Sequence, residues 1–364
     1  MKVLFIGSRL YDDIDWYVKS KGIKSVLTES NENAINLDLP DQVFIVPRGM
    51  EGPKQVALMQ NVDAIVPLIG IDPPLLDVAH MKEEVEKEYN IPVIAADVHA
   101  VEITSDKSKT KKFFTEIGVE TSDYQILKSP DELKLDFPVV LKQSEGQGGK
   151  DIRIAKSMDD VLDYFNDFDE ALCEKFIQGQ EVSIEVLGFN GEYVALSPVC
   201  KSETSLEGTH PLNKIKTGPC LVEGLDNNYT QYVASKIARN LNSDGIFEFD
   251  FIFSAEENKL YALEVNTRPN GTRYLTSATC GINTLYELVN MAIGEFSLDD
   301  ISRKMEYHYA TEIPIGNYDG PQPNEPLKSF EHNDFIVHGP EGFQRITIRA
   351  DSKSELENRI NELI

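Results

Sequence analysis

Short apolar runs recur through the first hundred residues, at Val3–Ile6, Ser25–Thr28, Gln42–Val46, Ala64–Leu68 and Val93–Ala95, with helix-period stretches between them. Alternation of this kind predicts βαβ units, since parallel neighbours need a crossover that a helix supplies. The turn Gly7-Ser8-Arg9 follows the first strand, at the end of an open α/β sheet where a ligand could bind, though simple turn chemistry is the plainer reading. From Asp106-Lys107-Ser108-Lys109 a capped helix runs to a stop at Ile117-Gly118, and strands are expected near Tyr124–Leu127 and Phe137–Lys142. Asp151–Ala155, a helix capped at Ser157-Met158-Asp159-Asp160 and a strand through Leu172–Ile177 complete a small α+β unit of about sixty residues. Val182–Leu187 reads as a further strand. Beyond Phe296 two or three strand-like runs follow, clearest at Arg345–Arg349, with a last helix from Ser352.

The sharpest pattern is Ile246-Phe247-Glu248-Phe249-Asp250-Phe251-Ile252-Phe253. Period-two alternation places its four phenylalanines on one face and both carboxylates on the other. With a return strand from Leu260 to Asn266 and a turn centred near Glu257, Asp250 faces Glu264 and Glu248 faces Asn266. Like charges across a ladder repel, so facing carboxylates make sense chiefly with a cation between them; a solvated acidic face satisfies the same pattern.

A second cluster, Lys142-Gln143-Ser144-Glu145-Gly146-Gln147-Gly148-Gly149, lies more than a hundred residues upstream. Backbone N–H groups of a Gly-rich turn can cradle phosphate oxygens, and Lys142 at a strand end could reach them too. A mobile turn is the plainer reading of Gly146, Gly148 and Gly149. The strand end Glu174-Lys175-Phe176-Ile177 offers backbone groups to an adenine edge, and Glu181 could accept ribose hydroxyls. Lys201, His210, Lys214 and Lys216 lie in a polar stretch from Lys201 to Gly218, read as a substrate loop or a surface excursion.

The 364 residues, 41% apolar, suit two or three packed units. A net charge of −26 argues against nucleic acid and anionic membranes as partners, and makes the few locally gathered cations more informative. Apolar runs are too short to span a bilayer and the N-terminus reads as a strand, so a cytoplasmic protein is expected. Cys173, Cys200, Cys220 and Cys280 show no Cys-x-x-Cys spacing, and the expectation is against a disulfide scaffold or structural zinc.

Taken in order, Asp106-Lys107, Lys142 with its glycine loop, Glu174–Ile177 with Glu181, Asp250, and Glu264-x-Asn266-x-Arg268 resemble the ATP-grasp superfamily over nearly the whole chain. The resemblance is to its carboxylate–amine ligase branch, similar to the carbamoyl phosphate synthase large subunit and to amino-acid ligases. It implies an α/β fold: a Rossmann-like preATP-grasp domain (1–105), then a two-lobed α+β ATP-grasp domain (106–296) with a flap at about 124–186, and a C-terminal α/β extension (297–364). It further implies ATP with Mg²⁺ or Mn²⁺ as cofactors, small-molecule carboxylate and amine substrates, and a possible homodimer. Lys107, Lys142 and Gly146, Gly148 and Gly149 would meet phosphates; Glu174, Lys175, Phe176 and Ile177 the adenine; Glu181 the ribose. Asp250, Glu264 and Asn266 would hold the metal, with Glu248 a rival, and Arg268, with Lys142, would be catalytic. Arg9, Lys201, His210, Lys216 and Arg273 are the candidates for gripping substrate. Asn270–Arg273 departs from the His-containing pattern of purine-pathway members. The expected reaction forms an amide through an acyl phosphate, releasing ADP and phosphate; carboxyphosphate chemistry and a silent nucleotide-binding regulator are the rivals.

Overall fold

In a computed structural model, which describes residues 1–146, 151–207 and 214–364, three sheets follow one another along the chain. The first holds β1 (Lys2–Ile6), β2 (Lys24–Glu29), β3 (Gln42–Ile45) and β4 (Ala64–Pro67) in the order β3-β2-β1-β4, all parallel, with α1 (Asp15–Ser20), α2 (Glu51–Gln60) and α3 (Leu75–Tyr89) as connections or following helices. The run at Val93–Ala95 yields only a parallel bridge from Val93 to Ile65. The Ala95 N–H turns back to the Val93 carbonyl at 3.0 Å, which takes the chain off the ladder.

After α4 (Val98–Thr104) comes α5 (Lys107–Glu116), whose first turn is closed by the Asp106 carboxylate accepting from the Ser108 and Lys109 N–H groups at 2.8 and 3.2 Å. The second sheet, β5 (Tyr124–Leu127), β6 (Val139–Lys142), β7 (Arg153–Ala155) and β8 (Ala171–Lys175), is antiparallel in the order β5-β8-β6-β7. Between β7 and β8, α6 (Met158–Phe165) starts at a Ser157/Asp160 capping box and buries Val161 and Tyr164 against the sheet.

The large sheet holds β9 (Gln180–Phe189), β10 (Glu192–Ala195), β11 (Val199–Glu203), β12 (Lys216–Gly218), β13 (Gly245–Ser254), β14 (Lys259–Asn266), β15 (Tyr309–Gly316), β16 (Phe335–His338) and β17 (Gln344–Ala350). Their order is β14-β13-β9-β11-β12-β15-β17-β16, with β10 on β9, so the C-terminal strands extend this sheet through β12 and β15. Phe247, Phe249, Phe251 and Phe253 share one core with Phe113 and Phe114 of α5 and with Val233, Ile237 and Leu241 of α7 (Asn227–Leu241). Burying four phenylalanines on one face fixes the register, because a one-residue slip would turn them all to the other side. Beyond β14 lie α8 (Arg273–Cys280), α9 (Thr284–Ile293) and α10 (Leu298–Lys304), and α11 (Lys353–Leu363) closes the chain from a Ser352 cap.

Two further expectations change. Parts of the polar stretch from Lys201 to Gly218 are strand, in β11 and β12, and Cys200 is disulfide-bonded to Cys220. Pairing of β11 with β12 brings the two cysteines to 4.7 Å between Cα atoms, a proximity made by sheet register that no spacing motif signals. No described helix is long and apolar enough to cross a membrane.

Candidate functional site

On the face of β13 opposite the phenylalanines, three strands bring polar side chains into two rows. Glu185 of β9 pairs with Glu248, which pairs with Asn266 of β14; Ser183 pairs with Asp250, which pairs with Glu264. The register read from alternation is the one observed, with a bulge between Asp250 and Phe251. The cation that relieves the facing carboxylates in this structure is Lys201. Its Nζ lies 2.7 Å from Asp250 Oδ1 and 3.9 Å from a Glu248 oxygen, and the Ser183 hydroxyl donates to Asp250 as well. Burial works to raise the Asp250 carboxyl, but the Lys201 charge outweighs it and holds the group below its ordinary range. Among the described residues Glu264 has no such close ion pair: burial and then the Asp250 charge push it up, against the charges of Lys142, Lys107 and Lys201. Glu248 is likewise raised by burial and is hydrogen-bonded by the Thr272 hydroxyl at 2.7 Å.

A second group of cations approaches from α5 and the small sheet. The Lys107 N–H donates to the Ser144 carbonyl at 2.8 Å and its Nζ to the Gly146 carbonyl at 2.6 Å, tying the start of α5 to the entry of the glycine loop. Lys142 ends β6 in an ion pair with Glu174, which is 3% exposed. Glu174 is therefore a buried counter-ion; what its segment leaves for a ligand is backbone. Lys175 pairs with Glu257 at 3.2 Å, and Ile177 packs with Ile252 and Tyr261. Glu181 is gripped by Lys214 at 2.5 Å to both oxygens.

The candidates for substrate grip divide. Lys216 is buried against Glu312 of β15 at 2.9 Å, and its Nζ also lies 3.3 Å from the Gly271 carbonyl. Glu312 is further held by Arg345 of β17 at 2.6 Å; the carboxyl stays at about 2 although burial opposes it, because Lys216, His338 and Arg345 surround it. Arg273 is committed to Asp13 at 2.8 Å and stacks on Tyr274, so it fastens α8 to the N-terminal turn. Arg268 pairs with Asp72 and reaches the Asn266 Oδ1 at 3.3 Å. Arg9 is exposed at the end of the first parallel strand, apart from these pairs. His210, Gly148 and Gly149 lie outside the described residues.

Sequence reading missed Lys111, Glu185, Glu312 and Arg345. Lys111 carried a signal, since its i, i+3 spacing from Phe114 puts it on the core face of α5. Glu185 continued the alternation of Glu181 and Ser183 along β9. Glu312 and Arg345 meet only through the pairing of β15 and β17, which nothing local announces.

Among the described residues no group of three or more His, Cys, Asp and Glu side chains is gathered as a metal cage. The donor set Asp250, Glu264 and Asn266 nonetheless fits Mg²⁺, which is commonly held by one or two carboxylates with nucleotide phosphates completing the shell. Glu264, half-buried and repelled by Asp250, is the oxygen donor with most to gain from a cation.

A parallel N-terminal sheet, a small antiparallel sheet with Lys142 at the end of β6, and a large sheet carrying facing acidic residues define an ATP-grasp enzyme. Residues 106–300 match the model of the carbamoyl-phosphate synthase L chain, ATP-binding domain, and the chain belongs to that family. It is 71% identical over 367 residues to a carbamoyl-phosphate synthase of Methanobrevibacter smithii, covering 100% of both chains. Against the carbamoyl phosphate synthase large chain of Pyrococcus furiosus the identity is 26% over 303 residues, 78% of this chain and 28% of that longer protein. Among solved structures, an L-amino acid ligase from Bacillus licheniformis superposes with a TM-score of 0.75 at 16% identity, over 100% of this chain and 96% of that one.

Proposed function

We propose that the protein is an ATP-dependent carboxylate–amine ligase that joins an amino acid or small peptide-like acid to an amine through an acyl phosphate, with release of ADP and phosphate. The observation that carries this reading is the convergence on Glu264: Asp250 faces it across the ladder, and the charges of Lys142, Lys107 and Lys201, from three other elements, all act on it. In this reading residues 1–105, 106–296 and 297–364 are the preATP-grasp domain, the ATP-grasp domain and its extension. Bound Mg²⁺ would neutralise phosphate charge and polarise the γ-phosphoryl group. Asp250, Glu264 and Asn266 supply its protein ligands. Lys107, Lys142 and the glycine loop fix the phosphates, backbone groups from Glu174 to Ile177 meet the adenine, and Glu181 meets the ribose in exchange for part of its pairing with Lys214. Arg268, beside Asn266, sits where charge develops as the substrate carboxylate takes the phosphoryl group. An amine then attacks the acyl carbon and phosphate leaves, with no protein nucleophile required.

The substrate class is supported by the density of paired cations further along the same sheet, Lys216 and Arg345 on Glu312, which an acidic ligand could share. With ATP, Mg²⁺, a panel of amino acids and dipeptides, and hydroxylamine as amine, the right acid should yield ADP and a hydroxamate; AMP and pyrophosphate as products would sink the reading. Carboxyphosphate chemistry is favoured by the name of the Methanobrevibacter relative. Bicarbonate-dependent ADP release without any amino acid would select it.

A further inference from the structure

Two lysines share one buried carboxylate next to the proposed phosphate site, and they are not equivalent. Lys111 of α5 is fully buried and its ammonium has three partners: Thr121 Oγ1 at 2.7 Å, Ser122 Oγ at 2.9 Å and Glu174 Oε2 at 2.7 Å. The Ser122 hydroxyl in turn donates to Glu174 Oε2 at 2.9 Å, closing the arrangement. An ammonium has three donors, so Lys111 is saturated where it stands. Lys142, at the end of β6, touches the other Glu174 oxygen, and its side chain keeps 11% of its surface exposed. Lys107, which precedes Lys111 by one helical turn, carries the link to Ser144 and Gly146 of the glycine loop.

Resting on the ligase reading above, we propose that Lys111 is a positioning residue that releases Lys142: it keeps Glu174 neutralised when Lys142 turns from that carboxylate to the nucleotide phosphates. Without a second cation, turning Lys142 outward would strand a buried carboxylate, and breaking a buried pair on one side is strongly unfavourable. Lys142 would then stay on Glu174 and phosphate binding would weaken. With Lys111 in place the carboxylate retains an ion pair and a hydroxyl donor throughout, so the two lysines and Glu174 together carry one net positive charge that Lys142 can deliver outward. Lys111 does not touch the ligand; it acts through Glu174 and Lys142.

The test compares wild type, Lys111→Met, Glu174→Gln and the double variant Lys111→Met/Glu174→Gln by calorimetric titration with Mg-ADP and, separately, with adenosine. Lys111→Met should weaken Mg-ADP binding by roughly 10- to 100-fold, as loss of a cation that compensates a buried charge implies, while adenosine binding moves by less than about threefold. In the double variant no buried carboxylate remains to trap Lys142, and Mg-ADP affinity should return to that of Glu174→Gln. That return also guards against misfolding, since neutralising both partners removes the uncompensated charge. Unchanged Mg-ADP affinity in Lys111→Met, equal losses for adenosine and Mg-ADP, or a double variant as weak as Lys111→Met would each overturn the proposal. Failure of the wild type to bind Mg-ADP would refute the ligase reading itself.

Discussion

Glu185 offers the most quantitative check on the buried face of the site. Its side chain has no solvent exposure, Oε1 accepts from Asn270 Nδ2 at 3.0 Å, and Oε2 has no hydrogen bond of acceptable geometry although the Thr276 hydroxyl is beside it. Burial above all, with the Glu248 charge adding to it, pushes the carboxyl up from 4.5 to about 7. A raised acid binds its proton in the folded state while the unfolded chain has already lost it, so stability falls with pH through the window from 4.5 to about 7. At about 1.4 kcal/mol per pH unit, ionised Glu185 costs on the order of 3 kcal/mol above that window. Glu185→Gln removes the titration, keeps an oxygen for Asn270 and offers an N–H₂ to the Thr276 hydroxyl. Urea unfolding of both proteins at pH 5, 6, 7 and 8 should show the variant gaining progressively on the wild type, by little at pH 5 and by about 3 kcal/mol at pH 8, with unchanged m-values. Groups remote from Glu185 titrate alike in both chains and cancel in the difference. A stability difference that stays flat from pH 5 to 8 would refute the reasoning, because only a carboxyl already ionised in the folded chain throughout that range gives no slope.

Asp250→Asn and Glu264→Gln should each lower turnover by about 100-fold or more, with Glu248→Gln within about tenfold of wild type; steady-state ADP release checks this, and the reverse ranking would make Glu248 the metal ligand. Arg268→Ala should suppress hydroxamate formation by a similar factor while leaving Mg-ADP affinity within about threefold, a split that calorimetry and trapping measure separately. Reduction of the Cys200–Cys220 disulfide, which closes a span of 20 residues, should cost about 3 kcal/mol of stability on a chain-entropy basis, seen as a lower melting temperature in dithiothreitol that Cys200→Ser/Cys220→Ser no longer shows.

What the sequence disclosed and what it hid follow one physical line. Periodicity within a strand is local, so the phenylalanine face of β13 and the pairing of Asp250 with Glu264 were readable from alternation and a turn position. Caps are local as well, and Asp106, Ser157 and Ser352 each open the helix their chemistry announces. Partners of charged side chains are not local. Lys201 stands in the sequence as a candidate substrate grip, while β11 places it on Asp250, across β9. Arg273 is a candidate of the same kind, but the N-terminal turn claims it through Asp13, 260 positions away in the chain. Glu312 and Arg345 stayed invisible because three strands far apart in sequence must assemble before Lys216 finds them.

Those partners change how anion binding has to work. Lys142, Lys201, Lys214, Lys216, Arg268 and Arg273 are all ion-paired, with Glu174, Asp250, Glu181, Glu312, Asp72 and Asp13 respectively. At these six positions a ligand phosphate or carboxylate therefore does not meet a bare cation; it exchanges one buried or half-buried ion pair for another, and gains only the difference. Such exchange keeps a chain of net charge −26 from presenting an open electropositive cleft to every anion. It also demands that each released carboxylate find compensation, from a second lysine in the case of Glu174 and from a divalent cation in the case of Asp250 and Glu264. Nucleotide and metal should accordingly bind with positive coupling, since the cation that stabilises the carboxylate ladder frees Lys201 at the moment the phosphates arrive.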